Sequence, residues 1–235
     1  MSDSDQSPLA TSNRLLAALP RKEYEKLAPH MEEVSFEQGQ VLYESNDSIE
    51  YIHFPLSGVN SIVVTTQTGS SVEIGLIGRE GFVGFQPLLG VKSAPNSAIS
   101  QIPGKALRIK SETLKKEFDG GGPLQNLLHR QIQSQTVQMS QGAACNRLHE
   151  VNERMARWLL MMHDRAESDK LSLTHEFLSQ MLGANRATVS LTAGVLQQAS
   201  LIRYARGTIT ILNREGLEEI ACECYQIVKA EFDRA

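Results

Sequence analysis

No stretch of this 235-residue chain stays apolar for the length of a membrane span. The opening residues 1–13 are polar and acidic, where a secretory leader is basic and then apolar. The sequence therefore predicts a cytoplasmic protein with no membrane partner. Cysteine is scarce: Cys145, Cys222 and Cys224 make an odd and scattered set, which argues against a disulfide framework and fits a reducing compartment. A basic surplus is missing as well, since the formal net charge is −4. Total charge thus gives no sign of a nucleic-acid partner. Nor do the residues offer paired carboxylates, a nucleophile with its base, or a metal triad at supporting spacing, so no enzyme and no catalytic residue is expected.

One absence is local. Residues 177–214 contain no Asp or Glu, yet hold Arg186, Arg203, Arg206 and Arg214. This segment is positive within an acidic protein, and DNA contact depends on where charge sits.

What is present divides the chain by period. Residues 1–12 have little to bury and read as a disordered tail. Leu15, Leu16, Leu19, Tyr24 and Leu27 recur at helical spacing around Pro20, predicting two short helices. Short apolar runs follow at 40–43, 51–54, 60–66, 71–77 and 106–109, separated by turn residues such as Ser57-Gly58 and Thr68-Gly69-Ser70. Many short strands with regular turns indicate an antiparallel barrel or roll. Beyond a Gly120-Gly121-Gly122-Pro123 break, Leu124, Leu127, Leu128, Ile132, Gln135, Met139 and Ala143 form one stripe on a long helix. That stripe is expected to pair with its copy in a second subunit, although Gln125, Gln131, Gln133, Gln135, Gln138 and Gln141 temper a coiled-coil reading. A further amphipathic helix spans 151–165.

The informative segment is 173–212. Thr174 suits the cap of a short helix, Gly183 suits its left-handed end, and Asn185 suits the cap of a second helix reaching residue 199. Val189, Thr192, Ala193 and Leu196 would be buried. Two short helices about a glycine turn make a helix-turn-helix. The outward face is small, with Arg186 at the end where a recognition helix meets base edges. Arg186 suits guanine, and Ala187 or Leu191 suit thymine methyl groups. Thr174, Asn185, Thr188 and Ser190 suit phosphates. Residues 201–212 then read as a β-hairpin turning at Arg206-Gly207, placing Arg203 and Arg206 on a wing.

The run Leu182-Gly183-Ala184-Asn185-Arg186-Ala187-Thr188-Val189-Ser190, followed by Leu196-Gln197-Gln198-Ala199-Ser200-Leu201-Ile202 and the wing, resembles the DNA-binding domain of the cyclic-AMP receptor protein and fumarate-nitrate regulator (CRP/FNR) family. Upstream, Phe82-Val83-Gly84-Phe85-Gln86-Pro87-Leu88-Leu89-Gly90 resembles that family's β-roll insertion. The resemblance spans nearly the whole chain. It implies an α+β protein: a jelly-roll, cyclic-nucleotide-binding-like sensor (13–122), a dimerisation helix (123–149) and a winged helix-turn-helix (150–235). It implies a homodimer on palindromic double-stranded DNA, with RNA polymerase as a partner. The alternative function is a small-molecule sensor that regulates a protein partner.

Two departures bear on the effector. Cyclic-nucleotide-binding members carry Glu after the insertion glycine and Arg before Ser-Ala; this chain has Phe85 after Gly84, and Asn96 before Ser97-Ala98. A buried phosphate without a cation costs several kcal/mol, so cyclic AMP is not expected. Gly84, Phe85, Gln86, Asn96 and Ser97 are the candidate effector residues, and the ligand stays unnamed. Three cysteines cannot supply an iron–sulfur cluster, and Cys222-Glu223-Cys224 is read as packing, with no metal expected. Haem stays open, because His30, His53, His129, His149, His163 or His175 could ligate iron, but no cofactor is predicted.

Overall fold

The computed structural model describes residues 12–234; apart from Ser12, the expected N-terminal tail lies outside them. Contacts divide the chain into two compact units. The first takes in Ile77–Gln135 and the N-terminal part through Ile62, and the second takes in Val63–Leu76 and Thr136–Arg234. No described helix is long and apolar enough to cross a membrane.

The first unit opens with α1 (Arg14–Ala17) and α2 (Arg21–Leu27) on either side of Pro20, as the spacing predicts. Asn13 anchors them. It is fully buried; its Oδ1 accepts from the Leu16 amide at 3.0 Å, and its Nδ2 donates to the carbonyls of Pro55 (2.9 Å) and Gly81 (3.0 Å). One side chain thus caps a helix and satisfies two carbonyls, at the end of a strand and in a turn, that burial would otherwise orphan.

The roll is built from β1 (Glu32–Phe36), β2 (Val41–Tyr43), β3 (Tyr51–Pro55), β4 (Val59–Thr65), β5 (Ser71–Ile77), β6 (Ser97–Ile102) and β7 (Gly104–Lys110). One sheet has the order β1-β7-β3, antiparallel, with Glu32 opposite Arg108 and Phe54 opposite Leu107. The other has the order β2-β6-β4-β5. Five of these seven strands coincide with the sequence runs. β1 and β6 do not, because Glu32-Glu33 and Ser100-Gln101 break the apolar pattern that marks a strand. The tip of the β4–β5 hairpin belongs to the second unit, where Glu73 accepts from the Trp158 indole at 2.8 Å.

After α3 (Ser111–Asp119), α4 runs 27 residues, Gly122–Leu148, or about 40 Å at 1.5 Å per residue. Here the structure corrects the expected use of the stripe. Leu124, Leu127, Leu128 and Ile132 are buried in one cluster with Leu16, Leu27, Ile52, Phe54, Phe82 and Ile109: they close the chain's own roll. Gln135 extends the seam by donating to the Phe82 carbonyl at 2.9 Å. Farther along α4, Gln138 exchanges two hydrogen bonds with the Leu76 backbone in the second unit (3.2 and 3.1 Å). Gln135 and Gln138, two of the glutamines that weaken a coiled-coil pattern, are therefore seam residues, and the exposed side of α4 carries Asn126, Arg130, Gln133, Thr136, Ser140 and Ala143.

The second unit continues with α5 (Val151–Ala166), β8 (Lys170–Ser172), α6 (His175–Leu182), α7 (Arg186–Gln198), β9 (Ile202–Ala205), β10 (Thr208–Ile211), α8 (Arg214–Ile220) and α9 (Cys224–Arg234). Glu150 and Glu153 form a capping box at the start of α5, and β10 lies between β8 and β9.

One core residue carries a pH consequence. His53 is buried beside Phe36, their ring centroids 5.4 Å apart, and its Nδ1 has no hydrogen-bond partner among the described residues. Burial first, and the Arg108 charge second, push its pKa down to about 4. The folded state thus resists a proton that the unfolded chain accepts near pH 6.5, so stability present above that pH is lost between about 6.5 and 4, by at most about 3 kcal/mol. The expected outcome is that His53→Phe flattens this acid limb. Thermal unfolding midpoints between pH 7.5 and pH 5 provide the check, and a variant as acid-sensitive as the parent would clear His53 of the role.

Candidate nucleic-acid interface

Two caps and a glycine set the geometry of 174–198. Thr174 Oγ1 accepts from the Phe177 amide at 3.1 Å and starts α6. Gly183, at φ +56°, ends α6 in the left-handed region while its amide returns to the Gln180 carbonyl. Asn185 Oδ1 then accepts from the Thr188 amide at 2.8 Å and starts α7. Arg154 of α5 reaches the Leu182 carbonyl and holds the C-terminal end of α6 from behind. Val189, Thr192, Ala193 and Leu196 are the buried face of α7, as the spacing predicts.

The opposite face is open. Arg186 and Ala187 are exposed, and Leu191 is 74 % exposed. Val195, 57 % exposed, extends this apolar surface. Sequence reasoning missed it, although its position four residues after Leu191 places it on the same side. The expected phosphate-binding hydroxyls have local duties as well: the Thr188 hydroxyl donates to Asn185 Oδ1 at 3.0 Å, and Ser190 Oγ lies 2.9 Å from His175 Nδ1.

The wing turns at Arg206 (φ +50°) and Gly207 (φ +76°), where the hairpin reading placed it. Arg203 sits opposite Thr210, and both Arg203 and Arg206 are exposed. The wing is tied to α7 by the Tyr204 amide donating to Gln197 Oε1 at 2.7 Å, and to α6 by His175 stacked on Tyr204 with centroids 4.1 Å apart. Burial, and then the Arg186 charge, lower the His175 pKa. Sequence reasoning missed this role of His175 because stacking on a residue 29 positions away leaves no local pattern. Arg214 does not join the basic surface: Asp164 (2.7 Å), Glu218 (2.9 Å) and His163 (2.7 Å) hold it.

Comparison with known proteins bears on this arrangement. Residues 153–220 match the Crp-like helix-turn-helix domain, and residues 33–120 match the cyclic nucleotide-binding domain. The chain is a transcriptional regulator of the CRP/FNR family. It is 21% identical over 221 residues to the global nitrogen regulator of Synechococcus elongatus, covering 90% of this chain and 98% of that protein. The corresponding regulator of Synechocystis is 22% identical over 92% of this chain and 98% of its own. Among solved structures, a putative CRP/FNR-family regulator from Eubacterium rectale shares the fold with a TM-score of 0.72 at 16% identity, over 89% of this chain and 98% of that one. The c-di-GMP responsive regulator CLP of Xanthomonas campestris does so at 0.68 and 16%, over 82% and 99%. The family is one of DNA-binding regulators and not of enzymes, which decides for DNA over the alternative of a sensor acting on a protein partner.

In the regulator's roll, the candidate effector residues are largely bound to one another and to neighbours. Asn96 is buried and accepts from the Tyr43 hydroxyl at 3.0 Å, while Gln86 hydrogen-bonds the same hydroxyl; burial pushes the Tyr43 pKa up to about 12. Ser97 Oγ accepts from the Ser45 amide at 3.1 Å. Phe85 packs on the core, and a side chain at Gly84 (φ +92°) would press on Ile49 at 3.0 Å. A separate cavity of about 490 Å³ is lined by Ile49, Tyr51, Lys92, Lys110, Glu112 and Lys115 among others. None of the five candidate residues lines it, whereas the exposed Lys92 does.

The cysteines are not scattered in space. In the second unit, Cys145 Sγ lies 3.4 Å from Cys222 Sγ, and Cys224 Sγ lies 3.7 Å from His149 Nδ1. The hydrogen bond with the Cys222 thiol holds the Cys145 pKa down to about 5, with Arg157 and His149 adding to the effect; in return Cys145 raises the pKa of His149.

Arg186 has one acidic neighbour, Glu176, at 3.6 Å, with both side chains more than half exposed. This carboxylate lies just before the acid-free segment. Exposed pairs of this kind are worth about 0–1 kcal/mol, so Glu176→Gln should tighten DNA binding by up to about fivefold at low salt. Titration by fluorescence anisotropy measures it, and weaker binding would show that Glu176 orients Arg186 and does not mask it.

Proposed function

We propose that the regulator reads a palindromic operator as a homodimer, with α7 in the major groove and the β9–β10 wing on the flanking backbone. The observation that carries this reading is the outer face of α7. It combines small and apolar side chains at Ala187, Leu191 and Val195 with Arg186 at its N-terminal end. A helix that stays in a protein core has no use for a leucine 74 % exposed; a helix in a groove meets thymine methyl groups there. Arg186 serves as the guanine reader, while Thr174, Asn185, Thr188, Ser190, Arg203 and Arg206 serve the phosphates. The cytoplasm, where promoter DNA and RNA polymerase reside, is the place of action, with the polymerase as a partner.

The exposed side of α4 serves as the subunit contact. Thr136, Ser140 and Ala143 recur at three- and four-residue steps and are small enough for close helix approach. Ala143→Glu should convert the dimer to a monomer in light scattering and weaken operator binding; a dimer of unchanged stability would remove this face from the assembly. For the roll, Phe85 and Asn96 carry no charge to offer a ribose or a phosphate, and Asn96 is already engaged by the Tyr43 hydroxyl, which supports a different effector. The proposed effector is therefore not cyclic AMP bound in the family's manner, and no haem or other cofactor is assigned.

Genome-wide mapping of bound sites supplies the operator. On that DNA, Arg186→Ala should cost about 1–3 kcal/mol at one base pair of each half-site while leaving nonspecific binding nearly unchanged. Arg206→Ala should weaken binding to all sequences alike and lower the salt slope by about 1. Unchanged affinity and preference in the Arg186 variant would end its assignment as reader.

A further inference from the structure

Four metal-binding side chains from distant parts of the sequence meet at one point in the second unit. Cys145 lies in the last turn of α4. His149 follows one turn later, and its amide still bonds the Cys145 carbonyl at 3.1 Å, so both side chains leave the same face. Cys222 lies in the turn after α8, and Cys224 opens α9. The three sulfurs and a ring nitrogen all lie within 4.8 Å of one another. Four donors at 2.0–2.3 Å from a common centre stand roughly 3.4–3.7 Å apart in a tetrahedron. The two separations of 3.4 and 3.7 Å are already at that spacing.

The surroundings match a bound cation. The cysteines are buried, at 0, 5 and 2 % exposure, so no open position is left for substrate or water. His149 turns Nδ1 to the sulfurs, while its Nε2 lies 3.3 Å from Glu223 Oε2. A carboxylate on the far nitrogen fixes the tautomer of a metal-bound histidine. Arg154 and Arg157 are buried, with their Nε atoms unpaired among the described residues, and both guanidiniums interact electrostatically with Cys145. Three thiolates around a divalent ion leave one negative charge, which gives these two buried cations a counter-charge.

We propose that Cys145, His149, Cys222 and Cys224 form a closed tetrahedral site for one zinc ion, which ties the end of α4 to the start of α9. Three sulfurs and one imidazole select a thiophilic, tetrahedral ion over magnesium or calcium. A disulfide between Cys145 and Cys222 would use two of the four donors and leave Cys224, His149 and Glu223 without a common purpose. The site is structural: it joins residues 77 positions apart, in the last turn of α4 and just before α9, and metal bound only by the folded chain stabilises the fold.

The test uses the full-length protein, purified under reducing conditions with zinc supplied. Metal analysis should find about one zinc per chain, and chelation should lower the thermal midpoint. Cobalt(II) added to the chelated protein should give the intense visible bands of tetrahedral thiolate coordination; a Cys222→Ser, Cys224→Ser double variant should lose them. The parent protein decides the matter even if that variant fails to fold. Substoichiometric zinc together with absent cobalt bands would overturn the site, as would bands that persist in the double variant or a Cys145–Cys222 disulfide in protein isolated without reductant. Metal content is read without DNA, so it stands apart from operator recognition.

Discussion

An antiparallel roll with an apolar interior has to be closed, and here the first half of α4 closes it. Leu124, Leu127, Leu128 and Ile132 lie in one cluster with Phe54, Phe82 and Ile109. Large-to-small changes at such positions cost about 2–5 kcal/mol, so the seam orients the helix strongly. Orientation has consequences on the other side. With Leu124, Leu127, Leu128 and Ile132 committed inward, α4 presents small and polar residues outward, and its last turn and the residue after it place Cys145 and His149 on a single face. The same rod thus seals the sensor, offers the proposed subunit contact and brings two donors to the proposed zinc site.

In the second unit the governing constraint is backbone capping. Two short helices joined through Gly183 expose their terminal amides, and Thr174 and Asn185 satisfy one each. That local chemistry is why α7 starts at Arg186 and why this arginine stands exposed at the helix's N-terminal end, where the proposed reading of bases needs it. The wing is then fixed by tertiary contacts, His175 on Tyr204 and Gln197 to the Tyr204 amide. Several side chains that aim this surface are also proposed contacts: Thr174 and Asn185 cap the two helices, and the Thr188 and Ser190 hydroxyls already have partners inside the protein.

Charge follows a similar division. The acid-free segment holds four arginines in sequence, yet the fold withdraws Arg214 into a network with Asp164 and Glu218 and places Glu176, from just outside the segment, beside Arg186. A count along the chain overstates the positive surface because ion pairs form between helices, and helix packing has no linear signature.

Features with a local cause were readable from residue order alone: the caps at Thr174 and Asn185, the left-handed glycine at 183, the wing turn at Arg206-Gly207, the buried face of α7 and five strands of the roll. Each follows from dihedral preference, capping or an apolar period within a few residues. Strands β1 and β6, whose polar residues hide the alternation, were not legible. Nor was the partner of the α4 stripe, since a period shows that a face must be covered without showing by what. The gathering of Cys145 and His149 with Cys222 and Cys224 was invisible for the same reason: proximity across 77 positions is created only when packing sets the helices, and no spacing in the chain encodes it.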